Sequence, residues 1–186
     1  MKIKAPTIVT FVRLILIPVL FIVYYLPFAW SGLVAGLVFV LAGVSDWLDG
    51  YLARKMGLIS RFGAFLDPVA DKLIVAVALV MLVGNPHLPY LVLPASIIIG
   101  REIAVSALRE WMAELGKRAA VAVSFIGKVK TTLQIIAIVG LLACNPAHPG
   151  LFFYGGYVFL YLSAILTLWS MAIYLKTAIP DFKLNS

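Results

Sequence analysis

Acidic charge is scarce in this chain: eight Asp and Glu stand against 15 Lys and Arg, and only 12% of the 186 residues are charged at all. A soluble domain carries roughly a quarter of its residues as charge and about half as apolar side chains. The shortfall, joined to 63% hydrophobic residues and a mean hydropathy of +1.08, excludes an ordinary soluble domain. It predicts an integral membrane protein. Cysteine is nearly missing too. Cys144 alone excludes an intramolecular disulfide and a cysteine-built metal site, and is expected to be a small buried apolar residue. Linkers, charge blocks, low-complexity stretches and obvious repeats are lacking, so one domain over residues 1–186 is expected. The formal charge of +7 would suggest nucleic acid in a soluble chain. Here it reads as positive-inside bias and attraction to anionic lipid headgroups, so membrane lipids are expected partners and nucleic acid is not.

What is present organises itself around three uncharged turn clusters. "YLPFAWSG" (25–32), "GNPHLPY" (84–90) and "CNPAHPG" (144–150) combine Pro, Gly and Asn without one Lys, Arg, Asp or Glu. Between them lie charged junctions at 54–62 and 109–118 and a charged tail from Lys176. A bilayer span needs about 20 apolar residues. The pattern predicts an all-α protein of six transmembrane helices, over 7–26, 32–53, 64–84, 89–112, 121–143 and 152–175. Lys2 and Lys4 before an apolar run resemble a signal peptide, but Arg13 interrupts the run and no small-x-small site follows, so a retained first span is expected. All charges are expected at the N-terminus, the charged junctions, the tail or the helix ends beside them. This orients both termini and the charged junctions to the cytoplasm. Tyr24, Tyr25, Trp30 and Tyr90 then fit an aromatic belt on the far side.

Four of the eight acids fall between Asp46 and Asp71. Asp46 and Asp49 are three apart and Asp67 and Asp71 four apart, so each pair shares a helix face. Short connection of the two helices lets the pairs turn toward each other near the cytoplasmic boundary, where a lipid headgroup can meet a water-soluble molecule. Four facing carboxylates need counter-charge or protons. Oxygen-only ligands suit Mg²⁺ or Mn²⁺, and four of them could hold two ions, as in two-metal phosphoryl-transfer sites. Other readings are interhelical salt bridges, such as Asp49 with Arg54 or Asp71 with a basic residue on the fourth span, and a divalent-cation transporter. No acid lies on the outer half of any expected span, which argues against a path across the bilayer. Pro68 allows two arrangements: Asp67 near a helix start with Pro68 in the first turn, or a running helix in which Pro68 frees the carbonyl of Ala64.

The spacing is D-x2-D-G-x2-A-R-x8-G-x3-D-x3-D, filled by Asp46, Asp49, Gly50, Ala53, Arg54, Gly63, Asp67 and Asp71. It resembles, at every position, the signature of the CDP-alcohol phosphotransferase family. That resemblance implies a six-helix membrane fold, a homodimer, and a site open to the cytoplasm. It implies Asp46, Asp49 and Asp67 as metal ligands, Asp71 as ligand and general base, and Gly50, Ala53, Arg54 and Gly63 along the cytidine diphosphate site. At the N-terminus the family pattern P-N-x-x-T-x-x-R is met by Pro6, Thr10 and Arg13, with Thr7 in place of Asn. Thr10 and Arg13 are therefore expected to contact the CDP-lipid.

The segments "REWMAELGKR" and "GKVKTT" are similar to family members that act on sn-glycerol 3-phosphate. The implied reaction takes CDP-diacylglycerol and sn-glycerol 3-phosphate to phosphatidylglycerophosphate and CMP, in a bacterial inner (plasma) membrane. Another acceptor, such as inositol phosphate, is the alternative within the family. A phosphorylated acceptor needs a cationic seat. Arg grips phosphate with two N–H groups and Lys acts as a point charge. Arg109, Arg118, Lys128 and Lys130 are expected to form that seat, with Arg101 close by. Glu102 is expected to pair with Arg109 or Lys128, and Glu110 and Glu114 to lie on a solvated face. His87 and His148 read as loop residues. The sixth span carries no charge before Lys176 and is expected to face lipid or a second copy.

Overall fold

The computed structural model describes residues 5–56, 61–114, 125–144 and 150–184, and the side chains of 11–45, 66–114, 127–144 and 150–176. The described residues form six helices and no strand: α1 (Ala5–Tyr24), α2 (Ser31–Met56), α3 (Arg61–Val83), α4 (Val92–Glu114), α5 (Phe125–Ala143) and α6 (Leu151–Leu184). α1 and α3 end where Pro, Gly or Asn interrupts the apolar run. Among the described residues, Leu151–Lys176 is long and apolar enough to cross a membrane, and Phe11–Tyr24 and Ser31–Ser45 are shorter apolar stretches.

The helices pack as a bundle. α5 makes its broadest contact with α6, α1 lies on α2 and α3, and α4 leans on α6. Small residues permit the closest approaches. A Cβ on Gly32 would stand 2.5 Å from the Leu142 carbonyl oxygen, and one on Gly156 would stand 2.7 Å from Leu141 Cγ. Glycine at these two positions lets α2 and α6 press against α5, the way small residues serve helix contacts in lipid. The main core, including Leu20, Phe39, Leu79, Ile98, Ile138 and Leu160, is fully or nearly fully buried. A second, smaller core of Val105, Met112 and Tyr174 joins α4 to α6.

The first two uncharged turns and Cys144, where the third begins, line a cavity of about 620 Å³ at one end. Asn85 ties the second turn to the end of α1, donating from Nδ2 to the Tyr24 hydroxyl at 2.8 Å. The α3–α4 turn is pinned to α6 by two tyrosines. Tyr157 donates to the Pro89 carbonyl at 2.8 Å and Tyr161 to the Tyr90 carbonyl at 2.7 Å. Tyr90 has φ 64°, a left-handed conformation that costs a non-glycine residue free energy. This turn delays α4 to Val92, three residues after the expected start.

Other differences lie at the charged end. α3 begins at Arg61 rather than 64, α4 runs to Glu114, and α6 continues to Leu184 through what was expected to be a tail. The helices overrun the apolar layer there. As a result Asp71, Lys72, Arg101 and Glu102 lie near the middle of their helices rather than at the ends. Pro68 lies inside α3, so the running-helix arrangement applies and the helix lacks one donor toward Ala64.

Candidate active site

A polar layer separates the two cores. On α4 the main core reaches Ile98 and the smaller one begins at Val105; Arg101 and Glu102 fall in the gap. On α6 the same gap is spanned by a stripe at helical spacing, Ser163, Thr167, Ser170 and Tyr174, all buried. Lys130 and Gln134, one turn apart on α5, complete the layer, each less than 5% exposed.

Glu102 gathers the cations. Its Oε1 accepts from Lys130 Nζ at 2.6 Å and from Arg101 Nη1 at 3.1 Å. Arg101 Nη2 donates to Ser170 Oγ at 3.0 Å, and Ser170 spends its own proton on the Thr167 carbonyl at 3.0 Å. Arg109 Nη2 donates to the Tyr174 hydroxyl at 3.1 Å. The Tyr174 ring centroid lies 5.6 Å from Arg101 Cζ and 5.4 Å from Arg109 Cζ, within cation–π range of both. Removing one partner of a buried ion pair typically costs about 3–5 kcal/mol because the other charge is stranded. The side chains therefore hold one another in place. Arg101 Nε and Arg109 Nε are nevertheless buried without an acceptor. An unmade buried hydrogen bond costs about 1–3 kcal/mol, so these two donors are held at a cost.

Asp71 stands between two cavities. One, about 280 Å³, is walled by Phe39, Ala42 and Gly43 of α2, Ile74 of α3 and Ile135 of α5. The other, about 110 Å³, is bordered by Lys72 of α3, Glu102 of α4, and Thr131 and Gln134 of α5. Asp71 lines both. One carboxylate thus faces an apolar cavity and one with several polar side chains, and Glu102, the partner of Lys130 and Arg101, stands on the wall of the second. Gln134 Oε1 is buried there without a donor.

The remaining expected residues sort as follows. Asp67 is half-buried one turn before Asp71 on α3. Asp46, Asp49, Gly50, Ala53 and Arg54 fall within helical α2, Gly63 within α3 and Thr10 within α1, but their side chains lie outside the described residues. Asp46 and Asp49 keep the one-turn spacing on α2, which packs against α3. Arg13 is 1% exposed on α1, the helix that touches both aspartate-bearing helices. Arg118 and His148 lie outside the described residues. Arg101, Arg109 and Lys130 come together as expected; Lys128 does not, being exposed on α5. Two residues subtend about 200° around a helix, so Lys128 and Lys130 cannot face the same way. For the same reason Glu102 pairs with Lys130 and not Lys128; Arg109 shares its side of α4 but stands about two turns further on, where it reaches Tyr174, and Arg101 is the second partner of Glu102. Glu110, Glu114 and His87 are exposed, as expected. The sequence reading missed the part played by α6: Ser170 and Tyr174 are uncharged, yet the i, i+4, i+7, i+11 stripe was a readable signal.

Residues 3–173 match the CDP-alcohol phosphatidyltransferase family over most of the chain. The chain belongs to that family. Similar curated relatives include proteins named CDP-diacylglycerol–glycerol-3-phosphate 3-phosphatidyltransferase from Salmonella choleraesuis strain SC-B67, 52% identical over 182 residues, and from Escherichia coli strain K12, 51% identical over 182 residues. Each alignment covers 97% of this chain and 98% of the relative.

Proposed function

We propose that this protein transfers the phosphatidyl group of CDP-diacylglycerol to sn-glycerol 3-phosphate, forming phosphatidylglycerophosphate and releasing CMP. The observation that carries the reading is Asp71, shared by an apolar cavity and a polar one whose wall includes Glu102, the partner of the buried cations Lys130 and Arg101. A reaction joining a lipid-borne phosphorus to a phosphorylated alcohol needs that combination. The full-length likeness to relatives carrying this activity in their names supports the same substrates.

In this reading the phosphate of the acceptor sits against Arg101, Arg109 and Lys130. Asp71 accepts the proton of the glycerol C1 hydroxyl while its oxygen attacks the phosphorus bearing diacylglycerol. The bond from that phosphorus to the bridging oxygen breaks, and CMP departs with the electron pair. Proton transfer to a positioned carboxylate is typically worth ~10²–10⁴-fold. Thr10, Arg13, Gly50, Ala53, Arg54 and Gly63 would line the CDP-lipid. Asp46, Asp49, Asp67 and Asp71 are hard oxygen donors paired one turn apart on two packed helices, a donor set that fits two Mg²⁺ or Mn²⁺ ions. Bound there, the ions would neutralise the pyrophosphate and stabilise the leaving group.

The setting is a bacterial inner membrane, as a six-span homodimer of one-domain chains with both termini and the site toward the cytoplasm. Every helix presents large apolar side chains outward, among them Ile15, Leu37, Val80, Ile103, Ile136 and Ile165. Water would not tolerate apolar surface on that scale. The test is CMP release from CDP-diacylglycerol by protein purified in detergent, with each acceptor in turn. Release requiring sn-glycerol 3-phosphate supports the reading. Release with inositol phosphate instead overturns the acceptor, and divalent-ion flux without CMP overturns the enzyme.

A further inference from the structure

We propose that Glu102 is a positioning residue for the acceptor: it acts through Lys130 and Arg101, setting where their charges meet the phosphate of sn-glycerol 3-phosphate. This rests on the function proposed above and adds a residue to which that reading gives no role. One carboxylate oxygen takes both cations, Lys130 Nζ at 2.6 Å and Arg101 Nη1 at 3.1 Å. The two come from different helices, α5 and α4, and both are nearly inaccessible, at 2% and 7% exposure.

Two buried cations drawn to one point would repel each other without the anion between them. Glu102 itself is part-exposed, at 28%, and borders the polar cavity that Asp71 also lines. The carboxylate thus stands between the cavity where an acceptor would enter and the cations that would receive it. Ser170 fixes the other edge of the Arg101 guanidinium, so its plane is held from two sides while Nε is left without a partner. Lys130 has no such second anchor among the described hydrogen bonds and depends on Glu102 for its position. Three cations, Arg101, Arg109 and Lys130, less Glu102 leave two positive charges, with Lys72 and Asp71 on the cavity wall offsetting each other, a match for a phosphomonoester carrying about −1.5 to −2 at neutral pH.

The test uses Glu102→Gln and Glu102→Asp in the full-length protein in detergent. KM for each substrate, kcat and Tm are measured, and sn-glycerol 3-phosphate binding is read by calorimetry without CDP-diacylglycerol. Expected for Glu102→Gln is a rise of about tenfold or more in KM and in the dissociation constant for sn-glycerol 3-phosphate, the size of a lost charge-assisted hydrogen bond. KM for CDP-diacylglycerol stays within about twofold. Glu102→Asp, which keeps the charge, recovers part of the loss. In a Lys130→Gln background, Glu102→Gln adds little further, because the two act through one contact. Should Glu102→Gln fail to fold, the same comparison is made with Glu102→Asp. A lower Tm with unchanged affinity for sn-glycerol 3-phosphate would make Glu102 merely structural and overturn the proposal. If the unsubstituted protein neither binds sn-glycerol 3-phosphate nor releases CMP with it, the functional reading and this inference fall together. If it does both and Glu102→Gln matches it, the inference alone falls.

Discussion

Tyr174→Phe isolates one hydroxyl in the cation cluster. The ring stays, so both guanidinium groups keep their face at 5.4 and 5.6 Å. What goes is the acceptor 3.1 Å from Arg109 Nη2. Tyr174 is 6% exposed, so water is poorly placed to take over. A hydrogen bond to a charged group contributes about 1.5–3 kcal/mol, and Arg109 Nε already lacks a partner. If the phosphate of the acceptor relies on Arg109 being held there, kcat/KM for sn-glycerol 3-phosphate should fall roughly ten- to hundredfold. Tyr174→Leu removes the ring as well. Each cation–π contact contributes about 0.5–2 kcal/mol, so the second variant should lose at least a further fivefold or so. The assay follows CMP release at saturating CDP-diacylglycerol while sn-glycerol 3-phosphate is varied. An unchanged KM for the acceptor in Tyr174→Phe, or two variants with the same constants, would mean that Tyr174 does not hold Arg109 for the acceptor.

Two further expectations concern burial. Lys130→Ala leaves Glu102, 28% exposed, with Arg101 as its remaining cation and should cost about 1.5–3 kcal/mol of stability, the size of a lost hydrogen bond between charged groups, whereas exposed Lys128→Ala should change Tm hardly at all; thermal unfolding in detergent compares them, and equal losses would contradict the assigned faces. Gly32→Ala places a methyl 2.5 Å from the Leu142 carbonyl oxygen. Overpacking of this kind costs about 1–3 kcal/mol, so Tm should drop; an unshifted Tm would show that α2 and α5 part without penalty.

The helices were readable because Pro, Gly and Asn mark every turn at the uncharged end, and the limits of all six were expected within a few residues except the end of α6, which lies nine residues beyond 175. Less readable was where they stop at the charged end. Lys, Arg and Glu are good helix formers, so composition there marks the edge of the apolar layer and not the end of the helix; Arg61, Glu114 and Leu184 lie beyond it. The aspartate pairs were legible from spacing alone, since one-turn offsets survive any small error in boundaries. Partner choice was not. Lys128 and Lys130 look alike in sequence, and only the packing of α5 on α6 decides which is buried. The contribution of α6 was hidden for another reason. Ser, Thr and Tyr among Leu and Ile do not break an apolar run, so their periodicity is overlooked when charge is taken as the mark of a site.

The proposed reaction depends most on Asp71 as the proton acceptor between the apolar and polar cavities. Its most direct test is single-turnover transfer from radiolabelled CDP-diacylglycerol to sn-glycerol 3-phosphate by Asp71→Asn, with Mg²⁺ or Mn²⁺ supplied and acceptor binding measured in parallel. The account predicts transfer slowed by ~10²-fold or more while sn-glycerol 3-phosphate still binds. Transfer at the unsubstituted rate would contradict it.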